Sequence, residues 1–174
     1  MMSRRFLVGP CLIALVLLAG CAGSKTSVTR GLQLQEPVRA IAMAPSGGIF
    51  ADAIAVSLFN HGFQVIDTSE MSNLMVRLNL NEVELMQPQS LSAVRDAGID
   101  VILSVKTVGG YDGKPQSASV RLNSTKNGEI VTGLSWQNGW GGTPGSWADR
   151  AQRKDIADAA DEIAKRIAGT LAAK

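Results

Sequence analysis

Val101-Ile102-Leu103-Ser104-Val105-Lys106-Thr107-Val108 is the most strand-like stretch of this 174-residue chain and reads as a central strand of a sheet. On its N-terminal side, Pro88-Gln89-Ser90 starts a helix that runs from Leu91 to Ala97 and is closed by Gly98. Further back, Met71, Leu74, Met75 and Leu78 repeat at helical spacing behind a capping pair, Asp67 and Glu70. Phe63-Gln64-Val65-Ile66 and Val38-Arg39-Ala40-Ile41-Ala42-Met43-Ala44 are strands, separated by a helix over Ile49 to Asn60 that stops at His61-Gly62. On the C-terminal side, Ala118, Val120 and Leu122 alternate with polar residues, Lys126-Asn127-Gly128 carries a turn, and Ile130 to Gln137 returns. A long amphipathic helix over Ala148 to Ala173 completes the order β-α-β-α-α-β-β-β-α. That order predicts an α/β (α+β) sandwich of two or three layers around a mixed sheet.

The other informative stretch is the N-terminus. Ser3-Arg4-Arg5 is basic, Leu12 to Leu18 is almost wholly apolar, and Ala19-Gly20 supplies small residues, which is the make-up of a secretory signal. The run from Phe6 to Ala19 also contains Gly9-Pro10 and is too short to span a bilayer, which takes about 20 residues. Leu18-Ala19-Gly20-Cys21 resembles the lipobox of bacterial lipoproteins, which implies cleavage before Cys21 and lipidation (palmitate included) of its thiol. Cleavage after residue 20 leaves 154 residues and removes Arg4 and Arg5, so the formal charge falls from +2 to zero, with fifteen basic against fifteen acidic groups. Nothing in that balance favours nucleic acid. Cys11 leaves with the signal, so the mature chain offers neither a disulfide nor a thiolate metal ligand. Ala22 follows the cysteine where inner-membrane retention favours Asp, so the expected location is the outer membrane, facing the periplasm. The polar residues up to Glu36 read as a flexible tether, giving a signal peptide over 1–20, a lipidated cysteine and tether over 21–36, and one periplasmic domain over 37–174. Such a tether has an r.m.s. span of about 20 Å.

Gly62-Phe63-Gln64-Val65-Ile66-Asp67, Ala97-Gly98-Ile99-Asp100-Val101-Ile102-Leu103-Ser104 and Gly128-Glu129-Ile130-Val131 occur in that order before the Ile156 to Leu171 helix. Together they resemble the curli secretion-channel (CsgG-like) lipoproteins and the related N-terminal domain of TolB. Periplasmic lipoproteins with this domain include penicillin-binding-protein activators, flagellar accessory lipoproteins and the ring-forming Pel polysaccharide lipoprotein. The resemblance implies an assembly or secretion accessory that works through envelope protein partners. The chain lacks the extra amphipathic hairpins that a curli-type pore needs.

Candidate chemistry is sparse. His61 is the single histidine and sits where a helix C-terminal cap is expected, without the further ligands a metal site needs. Asp52, Asp67 and Asp100 lie next to helix starts or strand ends, where capping accounts for them. Gly47-Gly48 lacks the lysine of a phosphate loop and reads as a turn. No catalytic residue, metal or cofactor is expected. The three tryptophans, Trp136, Trp140 and Trp147, fall within twelve residues, interleaved with glycines. Trp136 fits a core position, whereas Trp140 and Trp147 on a glycine-rich loop are candidate contacts for a neighbouring protomer, a glycan or the membrane interface. The expected function is a non-enzymatic, membrane-anchored accessory, with a homo-oligomeric, ring-forming export component as the alternative; a hydrolase would need a nucleophile motif that is missing.

Overall fold

The computed structural model describes residues 23–31, 34, 36–110, 112–139, 143 and 145–172. Its strands are β1 (Ser24–Arg30), β2 (Ala40–Met43), β3 (Gln64–Ile66), β4 (Val101–Gly109), β5 (Pro115–Ser124) and β6 (Ile130–Asn138). Its helices are α1 (Gly48–Asn60), α2 (Thr68–Arg77), α3 (Pro88–Asp96), α4 (Trp147–Gln152) and α5 (Ile156–Ala172), with short 3-10 turns at Pro45–Gly47 and Glu82–Glu84. The six strands form one mixed sheet in the order β1-β6-β5-β4-β2-β3. β4 is where its direction changes: it pairs parallel with β2 and antiparallel with β5. The expected α/β sandwich with a mixed sheet is therefore the fold.

The parallel half is short and apolar because it is covered on both faces. All four residues of β2 are buried. On one face Ile41, Met43, Leu103 and Val105 meet Phe50, Ile54 and Leu58 of α1 and Ile163 and Ile167 of α5. On the other, Ala42 and Ile102 meet Met71 and Met75 of α2 and Leu91 and Val94 of α3. The crossovers β2-α1-β3 and β3-α2-α3-β4 place their helices on opposite faces, as two connections of one hand require. The antiparallel half is covered on one face alone. Val120, Leu122, Leu134 and Trp136 point into the core under α1 and α5, while Ser119, Arg121, Ser135 and Gln137 face out. Asp67 caps α2 by accepting from the Glu70 N–H at 2.8 Å, the arrangement its spacing predicts.

Two expectations are corrected. The stretch read as tether contains β1, seven residues paired antiparallel with β6 from Ser24 opposite Asn138 to Arg30 opposite Thr132. Residues of the segment read as tether are thus already part of the sheet. The C-terminal helix is not continuous either, because Arg153 is extended (φ −71°, ψ 131°) between α4 and α5. The Asn138 side chain holds Lys154 from both sides, its amide donating to the Lys154 carbonyl at 2.8 Å and its oxygen accepting from the Lys154 N–H at 2.8 Å. α5 then restarts behind Asp155, whose carboxylate accepts from the Asp158 N–H at 2.9 Å.

Candidate functional site

One end of the sheet carries the first described residues of the chain and leads to Trp147. There the N-terminus of β1 and the C-terminus of β6 lie side by side, and the Gly139 N–H donates to the Gly23 carbonyl at 3.0 Å. Gly23 stands two residues after Cys21.

The glycine-rich connection after β6 leaves from the same place and is tied down by α4. Ser146 caps α4 through the Asp149 N–H at 3.2 Å. The Asp149 carboxylate is buried; it accepts from the Gly145 N–H at 2.8 Å and from Arg153 Nη2 at 2.9 Å. The Gly145 hydrogen bond, then the positive charges of Arg153 and Arg150, outweigh desolvation and hold the Asp149 carboxyl below its ordinary pKa. Arg153 also lies 3.6 Å from Asp112, and its carbonyl accepts from Lys114 Nζ at 3.1 Å, which joins the β4–β5 turn to the same cluster. Gly139 has φ +70°, and a Cβ there would meet Asp149 Oδ1 at 2.3 Å, so the close approach of loop and helix needs glycine. Trp147, expected on the glycine-rich loop, is instead the first residue of α4, because Ser146 caps the helix there, and it is 81% exposed. Trp140 lies outside the described residues, as does Cys21.

Just behind this end, Glu162 of α5 fastens β1 to the body. Its carboxylate accepts from Ser24 Oγ, from Thr26 Oγ1 at 2.9 Å, from Trp136 Nε1 at 3.0 Å and from Lys154 Nζ at 2.9 Å. Burial by itself would raise its pKa, but the hydrogen bonds from Ser24, Trp136, Lys154 and Thr26 prevail and lower it from 4.5 to about 2. Trp136 is fully buried and packs on Phe50 with ring centroids 6.2 Å apart, the core position its sequence context predicts.

The remaining candidates are scattered. His61 is the C-terminal cap of α1, with Nε2 3.7 Å from Asp161. Asp52 accepts from Thr68 Oγ1 at 2.7 Å and joins α1 to α2. Asp100 accepts from the Arg39 and Ala40 N–H groups at 2.8 and 2.9 Å, and Gly47 closes a 3-10 turn. These placements are structural, and none brings two of the residues into one site. Sequence reading missed Glu162, Asp149 and Arg153, whose partners are loop backbones and a strand more than 130 residues away. The one local signal was the i, i+4 spacing of Asp149 and Arg153.

No model of a known protein family matches the chain, and no curated protein does. Among solved structures, it is similar to the PelC dodecamer from Paraburkholderia phytofirmans (17% identity, 87% of this chain and 99% of that one, TM-score 0.49). It is also similar to lipoprotein GNA1162 from Neisseria meningitidis (18% identity, 72% and 96%, TM-score 0.43). A third is the LpoB C-terminal domain from Salmonella enterica (16% identity, 74% and 93%, TM-score 0.40).

Proposed function

We propose that this chain is an outer-membrane lipoprotein, anchored through Cys21, whose domain sits against the periplasmic surface of the membrane and acts as a non-enzymatic assembly or secretion accessory by binding envelope proteins. The observation that carries this reading is the hydrogen bond from Gly139 N–H to the Gly23 carbonyl. In this reading the bond ties the chain just after the lipobox to the start of the segment that leads to Trp147 at the head of α4. A short link to the lipid and an exposed indole at the same end fit a face held at the headgroup layer, where tryptophan partitions favourably. The two or three acyl chains of a bacterial lipoprotein hold such a face in place, since two signals already give stable attachment.

The test uses full-length protein in vesicles that contain bromine-labelled phospholipid. Tryptophan emission of the native chain is expected to be quenched. In a Trp140→Ser/Trp147→Ser variant, where the buried Trp136 is the sole remaining fluorophore, the quenching is expected to disappear, with stability within about 0.5 kcal/mol of the parent. Quenching that persists in the variant would contradict the reading.

A second reading, self-association into a ring-forming export component, is supported by an exposed apolar stripe on α1 formed by Ile49, Val56 and Phe59. A strict monomer at high concentration in native mass spectrometry would end it.

A further inference from the structure

The opposite end of the sheet carries a groove. β5 runs from the anchored end at Pro115 to Ser124, and ten residues of strand place the turn after it about 30 Å away. There Ser124, Thr125, Lys126 and Asn127 rim two adjoining cavities of about 360 and 320 Å³ that share Thr125, Lys126, Asn127 and Arg95. The first continues between Leu34, Pro37 and Val38; the second between Met86, Pro88 and Leu91.

The rim is pre-formed. Thr125 donates its hydroxyl to the carbonyls of Ile99 (2.8 Å) and Asp100 (2.9 Å), and its N–H to Asp100 at 3.0 Å. The Asn127 side chain is engaged with Glu129 through bonds of 2.7 and 3.1 Å. Arg95 and Lys126 differ: both side chains are exposed, and among the described residues neither has a hydrogen-bond or ion-pair partner. Acidic groups line the first cavity alone, as Glu36 and Asp100, and Asp100 is already held by the Arg39 and Ala40 amides. The second cavity presents two cations and no acid.

We propose that this groove receives an extended acidic peptide segment of an envelope protein partner, with a carboxylate between Arg95 and Lys126 on the side of the second cavity and an apolar side chain in each lobe. A guanidinium and an ammonium converging on one carboxylate give charge-assisted hydrogen bonds, the strong kind. Apolar lobes on either side match side chains spaced along a peptide and would be wasted on a free inorganic anion. A sugar chain is disfavoured because no aromatic platform among the described residues lines either lobe. The inference deepens the accessory reading by naming the chemistry of its partner, and it rests on that reading for the partner's location.

The test is phage selection from a random dodecapeptide library on immobilised full-length protein in detergent micelles. Without a bilayer, the result does not depend on how the domain faces the membrane, so this inference and the membrane reading can fail separately. The selected peptides are expected to share an acidic residue flanked by apolar ones. A labelled synthetic copy should lose about tenfold in affinity when its acid becomes the amide, and by at least as much in Arg95→Glu/Lys126→Glu. The milder Arg95→Gln variant, melting as the parent does, separates charge loss from misfolding. No enrichment, a consensus without an acid, or an affinity unchanged by charge reversal would overturn the proposal, as would binding of a labelled oligogalacturonate with no peptide enrichment.

Discussion

Replacing Glu162 by alanine is expected to cost about 3 kcal/mol of folding stability and to lower Tm by roughly 6–12 °C, read by circular dichroism on detergent-solubilised protein. The magnitude follows from the carboxyl pKa, lowered from 4.5 to about 2 in a side chain that is 17% exposed. Removing the carboxylate leaves Trp136 Nε1 unpaired in the core and Lys154 without its counter-ion. The loss should be uneven. Ser24 and Thr26 are held from β1, so amide exchange over Ser24–Arg30 is expected to rise before the rest of the sheet opens. Glu162→Gln, which keeps an acceptor but removes the charge that the lowered pKa reports, should cost nearly as much. The sign in pH follows from the lowered pKa: the contribution is fully present above 4.5 and is lost as pH falls from there through 2. A Tm within 1 °C of the parent in Glu162→Ala, with unchanged exchange in β1, would remove Glu162 from the account.

The second large effect is expected at Cys21. Cys21→Ser abolishes the lipidation chemistry, so the protein should leave the outer-membrane fraction almost completely and run as an uncleaved or soluble species. One exposed tryptophan, Trp147, supplies far less than two or three acyl chains, and a single weak signal binds only reversibly. The fold should be unaffected, because β1 is held by β6 and Glu162, not by the membrane. Equal melting curves for the two forms check this. Normal processing with unchanged membrane retention would refute the lipobox.

What the sequence made legible was the part whose pattern is local. The β4 run, the Met71 to Leu78 periodicity, the Asp67 cap and the turn at Gly128, with φ +75°, all lie where their residues predict. β1 escaped because its two partly buried positions are the polar Ser24 and Thr26, so no apolar alternation marks it. Its hydroxyls face inward because a carboxylate from α5 receives them, and no spacing within the segment encodes that. The break between α4 and α5 escaped for the same reason: no glycine or proline marks it, and the residue that imposes it, Asn138, belongs to β6. Of the candidate site, Cys21 and the tryptophan cluster could be read directly. The convergence of Gly23 and Gly139 at one end of the sheet required the register between β1 and β6.

That convergence can be measured with two spin labels. With the cleavage and lipidation proposed at Cys21, Thr143→Cys before α4 and Lys126→Cys at the far turn each give a single reactive thiol in protein reconstituted into vesicles. Collision rates with oxygen, which concentrates in lipid, and with a water-soluble nickel complex report the surroundings of each label. The label at 143 is expected to favour oxygen, and the label at 126 to behave as if in bulk water. Equal, water-like behaviour at both positions, or the reverse order, would contradict the account.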